Sequence, residues 1–319
     1  MLLGSHVSCQ GGISKAVGRA EDVGCECIQI FVSNPPRQWP VFADDKPGSI
    51  PVLDLQTGSA PPRGASESLE QAWRAKPLAT SAIEAWDAAI SASPVSHPIA
   101  HASYLINMAS PKEELFRKSI DALVIELERA NALSLSGLVV HPGSFTESSE
   151  SEGLERIVDA ASEALDRVIP GTCKLLLENT AGQGSCLGHT LEQLAFMIDG
   201  IGQPDRVGIC LDTCHAYAAG YEINTKGGFD QMRKKVDDLL PDQAIAALHL
   251  NDSKKPLGSR VDRHEHIGLG EIGLEAFRFV LEDSVLGKLP GYLETEKGMN
   301  EEVGEEWDVI NLRVLRELV

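Results

Sequence analysis

The sequence predicts an α/β protein of the TIM (β/α)8 barrel class: a single domain over residues 1–319, with an insertion after its second strand. Eight short apolar runs alternate with eight stretches of helical period, which is the order of βα units in a closed parallel barrel. Six consecutive runs end in His, Asp or Glu, and the C-terminal ends of barrel strands share one rim. No GxGxxG turn follows the first run, so an open dinucleotide-binding sheet has no support.

The chain opens with LLGSHVS (residues 2–8), a strand ending at His6, and Gly11-Gly12 then start a helix over residues 13–23. CIQIFV (27–32) is the second strand, followed by a stiff loop, Ser33-Asn34-Pro35-Pro36-Arg37-Gln38-Trp39. Residues 40–73 hold five of the 17 prolines and keep no sustained period, so they read as a mobile surface insertion. Its acidic residues outnumber its basic ones, which makes it a poor phosphate clamp. From Leu78 onward the pattern is regular. Helices are expected over 81–91, 112–133, 152–168, 190–198, 229–240, 274–281 and 301–318. Strands are expected over 98–101, 137–141, 173–178, 207–212, 245–249 and 291–294, each a short run of apolar, often β-branched residues.

Composition sets bounds. Hydrophobic residues at 43% and charged residues at 24% fit a globular protein. The N-terminus, MLLGSHVSCQGG, shows no signal peptide, and no apolar run is long enough to span a bilayer. Seven cysteines, an odd number, suggest reduced thiols and a cytoplasmic chain, with Cys25 and Cys27 as packing residues. A net charge of −19 speaks against a polyanionic partner. A carboxylate-rich site holding divalent cations would reverse that sign locally.

The chemistry concentrates at the strand ends His101, His141, Glu178, Asp212, His249 and Glu294. His215 lies just past Asp212 in VGICLDTCH, and Asp262-Arg263-His264 adds two more ligands after the seventh strand. One such residue is an ordinary loop polar residue, but six strand ends in series are a constellation. Nine imidazole and carboxylate ligands exceed one tetrahedral ion and suit two or three. Nitrogen and oxygen ligands without cysteine suit Zn²⁺, with Mn²⁺ possible at one site. Neighbouring divalent ions fit phosphoester hydrolysis, and no Ser-His-Asp arrangement competes.

Five motifs occur in order: His141-Pro142-Gly143-Ser144, Glu178-Asn179-Thr180-Ala181-Gly182-Gln183-Gly184, Asp212-Thr213-Cys214-His215-Ala216-Tyr217-Ala218-Ala219-Gly220-Tyr221, His249-Leu250-Asn251-Asp252 and Gly258-Ser259-Arg260-Val261-Asp262-Arg263-His264. They resemble the motifs of the endonuclease IV family (AP endonuclease family 2), zinc-dependent apurinic/apyrimidinic endonucleases of base excision repair. The resemblance implies three Zn²⁺ ions. His101 and His141 would hold one, and Glu178, the catalytic carboxylate, would bridge it to a second completed by Asp212, His249 and Glu294. His215, Asp262 and His264 would hold the third. It implies hydrolysis of the phosphodiester 5′ to an abasic site, leaving a 3′-hydroxyl and a 5′-deoxyribose phosphate. The implied partner is double-stranded DNA with abasic sites or blocked 3′ ends, met by a monomer. The DNA contacts it implies are Arg37 after the second strand, and Tyr104 and Leu105 after the third as an intercalating wedge. Lys254, Lys255, Arg260 and Arg263 form a local basic face in the loop after the seventh strand.

Three departures stand out, one of them an extra proline in the loop before Arg37, which shifts the register of that loop. Ala102 replaces the carboxylate that usually follows the third-strand histidine, which leaves His101 without its expected partner. The insertion at 40–73 leaves from the DNA-facing rim. The main rival is a metal-dependent sugar isomerase or epimerase on the related barrel, for which His215, Asp262 and His264 are surplus. A non-catalytic binder of damaged DNA predicts a lost ligand, and none is lost. A bare structural barrel explains none of the ligands.

Overall fold

A computed structural model describes residues 1–32 and 78–319. The expectations for Arg37 and for the 40–73 insertion lie outside the described residues. Eight strands form the closed parallel barrel: β1 (Leu3–His6), β2 (Cys27–Phe31), β3 (Ser96–His101), β4 (Gly137–Val140), β5 (Lys174–Glu178), β6 (Val207–Asp212), β7 (Ile245–His249) and β10 (Gly291–Leu293). Each pairs in parallel with its neighbours, and β10 closes the ring on β1 with Leu3 opposite Gly291. Two short antiparallel ladders lie outside it: β8 (Asp252–Ser253) with β9 (His264–Glu265), and β11 (Met299–Asn300) with β12 (Glu305–Glu306).

Helices α1 (Lys15–Asp22), α2 (Thr80–Ala92), α3 (Glu113–Ala132), α4 (Glu150–Arg167), α5 (Leu191–Ile201), α7 (Lys226–Leu239), α8 (Leu274–Glu282) and α9 (Trp307–Arg316) lie where the sequence expects them, with shifted ends. Their apolar stripes pack on the barrel's outer surface in one large core. Ser149 starts α4 with a capping box closed by Glu152. Among the described residues no helix is long and apolar enough to cross a membrane.

Two elements differ from expectation. A short helix, α6 (Thr213–Ala219), follows β6 with no loop between them, and the side chain of Asp212 caps it by accepting the His215 N–H at 2.7 Å. The last helix begins at Trp307, not at residue 301, because 299–306 double back as the β11–β12 ladder, with Gly304 at φ 73°.

The barrel interior explains where the site sits. Cys27, Ile99, Val139, Leu176, Cys210, Ala247 and Tyr292 form one buried apolar layer, one residue from each barrel strand except β1. Side chains alternate across a strand, so the residue two positions on faces inward again, one step nearer the C-terminal mouth. Those residues are Gln29, His101, His141, Glu178, Asp212, His249 and Glu294. The apolar layer is the floor on which the polar layer stands.

Candidate metal centre

The polar layer and the loops above it bring together all nine sequence-predicted ligands. One group is His101, His141 and Glu178. A second is Glu178, Asp212, His249 and Glu294, and a third is His215, Asp262 and His264. In each group one ligand atom per residue lies within 4.8 Å of the others. His141 and Glu294 stand one residue past the ends of β4 and β10. The third group comes from α6 (His215), the loop entering β9 (Asp262) and the first residue of β9 (His264).

Glu178 is the hub. It is fully buried. Its Oε2 lies 3.2 Å from His101 Nε2 and 3.0 Å from His141 Nε2, and its Oε1 lies 2.9 Å from His249 Nδ1 and 3.2 Å from His215 Nδ1. Burial alone would raise its pKa, but the surrounding imidazoles, His249 and His141 foremost, hold the carboxyl well below its usual range. The same opposition holds Glu294 low, with His249 as its main cationic neighbour. Burial lowers the affinity of His215 and His249 for a proton, yet Asp212 beside the first, and Cys210 and Glu294 beside the second, raise both well above the ordinary imidazole range. Packed carboxylates of this kind demand positive charge, and divalent cations satisfy that demand.

The imidazoles are aimed by their second nitrogens. His101 donates Nδ1–H to the Ala102 carbonyl at 2.8 Å, His215 to the Asn179 carbonyl at 2.9 Å, and His264 to the Glu294 carbonyl at 3.2 Å. Each turns Nε2 into its group. His249 does the reverse, giving Nε2–H to Gln29 Oε1 at 2.8 Å and turning Nδ1 inward. Such outer hydrogen bonds fix the tautomer a metal ligand needs. They also answer the Ala102 departure, because the backbone carbonyl supplies the partner that the missing side chain does not. The buried Nε2 atoms of His215 and His264 make no hydrogen bond, although Asp262 oxygens lie 3.2 and 3.4 Å away. Two orphaned buried nitrogens facing one carboxylate fit a cation between them.

Cys214 also lies within reach of Asp212 and His264. Burial pushes its thiol up to about 12, and its Sγ turns to the Arg263 carbonyl at 3.7 Å. That makes it a packing thiol, and all seven cysteines are unpaired.

Beside the groups, reaching them at His264 and Glu294, lies a cavity of about 670 Å³ whose lining also includes His6, Phe31, Tyr104 and Lys297. Tyr104 stands at its rim, 61% exposed, with its ring edge-on to Phe31 at 5.7 Å. Leu105 beside it is half-buried. Lys254, Lys255, Arg260 and Arg263 are all exposed on the loop that leads to Asp262 and His264. Lys254 lies 3.5 Å from Glu296, and among the described residues the other three have no carboxylate partner. Backbone hydrogen bonds from Gly258 to Tyr217 and from Arg260 to Ala218 tie this loop to α6, with Arg260 held at φ 52°.

Four residues of the site were given no role by the sequence reading. Asn179 exchanges two hydrogen bonds with the Asp212 backbone, at 2.6 and 3.0 Å. Asn251 donates to Asp212 Oδ2 at 2.7 Å and accepts the Glu294 N–H at 2.8 Å. Gln29 and His6 both contact Glu294. Gln29 carried a readable signal, a lone polar residue inside an apolar strand.

Residues 62–311 match the family model of the xylose isomerase-like TIM barrel. A probable endonuclease 4 from Citrifermentans bemidjiense is 39% identical over 318 residues, covering 100% of this chain and 99% of that relative. One from Chloroflexus aggregans is 40% identical, covering 99% and 97%. The crystal structure of endonuclease IV from Thermus thermophilus superposes with a TM-score of 0.76 at 33% identity, covering 100% and 98% of the two chains. A D-tagatose 3-epimerase-like protein shares the fold at a TM-score of 0.68 and 19% identity, covering 100% of this chain and 97% of that one.

Proposed function

The chain belongs to the endonuclease 4 family, and from that premise we propose that it is a zinc-dependent phosphodiester hydrolase that incises duplex DNA on the 5′ side of an abasic site, leaving a 3′-hydroxyl and a 5′-deoxyribose phosphate. One observation carries the reading most directly: nine ligand residues converge as three groups at the barrel mouth, two of them sharing Glu178. His101, His141 and Glu178 would hold one ion, Glu178, Asp212, His249 and Glu294 a second, and His215, Asp262 and His264 the third. Bound there, the ions supply Lewis-acid polarisation of the phosphoryl group and offset charge on the departing oxygen.

The chain's own residues do the rest. Glu178 sets the spacing of two groups, because its two oxygens face different imidazoles. Asn251 ties Asp212 to the end of β10 and so keeps the second group in register. Tyr104 and Leu105 stand at the rim, where a wedge would enter the base stack. An abasic nucleotide is cheap to extrude because no base pair is lost with it. Lys255, Arg260 and Arg263, which have no carboxylate partner among the described residues, offer cations to the flanking phosphates, which answers the objection raised by the net charge of −19.

The test is incision of a duplex carrying one abasic-site analogue, with and without prolonged chelation, with metal per chain read by mass spectrometry. Chelator-sensitive cleavage 5′ to the lesion at close to three zinc ions per chain is expected. A metal-replete chain that leaves the duplex intact but interconverts ketose epimers would replace this reading with the sugar-epimerase one. Duplexes with blocked 3′ ends extend the same assay, and sedimentation tests the expected monomer.

A further inference from the structure

We propose that Gln29 is a positioning residue of the second group: its amide fixes which nitrogen of His249 and which oxygen of Glu294 face the cation. The inference rests on the metal assignment above and concerns a residue outside it.

Gln29 is the β2 member of the polar layer, two residues beyond Cys27 in the apolar floor, and is fully buried. A buried amide needs partners for its oxygen and its nitrogen. Here both are committed to ligands. Nε2 donates to Glu294 Oε1 at 2.5 Å, and Oε1 accepts Nε2–H of His249 at 2.8 Å. His6 closes a triangle on the same oxygen, its Nδ1 lying 3.1 Å from Gln29 Nε2 and 3.2 Å from Glu294 Oε1.

The orientation of the amide follows from chemistry. An ionised carboxylate only accepts hydrogen bonds, so Glu294 must face the amide nitrogen. The amide oxygen is then fixed toward His249, whose Nε2 must carry the proton. With a cation bound in place of the second proton, Nδ1 is then the nitrogen free to ligate, beside Glu178 Oε1 (2.9 Å) and Glu294 Oε2 (3.2 Å). Reversing the amide would set oxygen against carboxylate and place an N–H of His249 among the ligand oxygens. Glu294 thus orders Gln29, and Gln29 orders His249. The other three imidazoles with a fixed second nitrogen use backbone carbonyls, which no substitution can remove. His249 alone among these four depends on a side chain.

The experiment compares the full-length chain with Gln29→Met, which keeps length and volume without hydrogen bonds, and Gln29→Asn, which withdraws the amide by one methylene. Zinc affinity is read by competition with a chelator of known affinity, and the imidazole tautomers by ¹⁵N-detected NMR of the zinc-loaded chain. We expect one class of zinc to bind about 10–100-fold more weakly in both variants, the scale of an outer-shell partner, with the other two classes unchanged. The Nε2–H signal of His249 should shift or broaden in the Met variant. Wild-type affinity for every ion in both variants, or an unaltered His249 signal, overturns the inference and leaves the metal reading standing. A wild-type chain that binds no divalent cation removes both. Should the Met variant not fold, the Asn variant decides alone.

Discussion

Asp252 anchors the loop that delivers Asp262 and His264 of the third candidate group, and replacing it with Asn tests how that loop is held. The carboxylate is fully buried just past the end of β7. Its Oδ1 accepts the N–H of Ser253 at 2.7 Å and of Ile272 at 2.9 Å, and its Oδ2 accepts those of Gly268, Gly270 and Gly273 at 3.0, 3.2 and 3.3 Å. Burial raises its pKa, and these backbone donors pull it back. The β8–β9 ladder sets Ser253 opposite His264, so the clamp lies at the root of the segment carrying Asp262 and His264. Asn keeps one acceptor oxygen. In its better orientation it still serves the three glycine N–H groups, and its NH₂ then faces Ser253 and Ile272. Two buried donors without an acceptor cost about 1–3 kcal/mol each, so the variant should lose about 2–6 kcal/mol. Urea unfolding of the metal-free protein measures this. Hydrogen exchange locates it, with protection falling at 268–273 and little change at β2 to β4. A loss below about 1 kcal/mol with unaltered exchange in that segment would show that the carboxylate is not the clamp. Gly270 belongs to the same device: a Cβ there would come within 2.5 Å of Asp252 Oδ1 and of the Ser253 carbonyl, so Gly270→Ala should loosen the same segment.

Glu178→Gln removes the carboxylate shared by two candidate groups, so under the proposed assignment two zinc ions per chain should weaken together and incision should fall by more than the about 100-fold that an outer-shell change causes; retention of full zinc content in the variant would refute the shared role. Glu128, 7% exposed on α3 with an Oε1 that finds no partner among the described residues, has its pKa pushed by burial from 4.5 to about 7. Its folded form therefore keeps a proton the unfolded chain has already lost, so stability present below about pH 4.5 is lost as pH rises through 7, by about 3 kcal/mol at most. Glu128→Gln should accordingly be more stable than wild type at pH 8 and equal to it near pH 4.5 in thermal unfolding, and a pH-independent difference would count against this. Tyr104→Ala should weaken binding to a duplex with an abasic site by about tenfold or more while leaving metal content unchanged; equal affinity of the two proteins for that duplex would remove Tyr104 as a wedge.

The candidate ligands were legible in the sequence because a parallel strand buried on both faces must be apolar until it leaves the sheet, so a terminal His or Glu after LVV or LLL stands out. Closure of the barrel then does the assembling, since strand ends far apart in the chain meet at one rim. What stayed illegible has a common cause. The run Asp212-Thr213-Cys214-His215 reads as a loop by composition, yet its aspartate is at once a candidate ligand and a helix cap, and α6 starts one residue later. Trp307 to Arg316 is helical as expected, but residues 299–306 carry a helical composition into a ladder that only their pairing across Gly304 reveals. Gln29 could be placed on the inward face by counting two residues from Cys27, yet its meaning depends on His249, 220 positions along the chain, and on Glu294, 265 positions along. Strand period determines which way a side chain points. Which hydrogen it receives is determined by partners brought in by closure, and in a site where one proton decides whether a nitrogen can bind a cation, that second fact carries the chemistry.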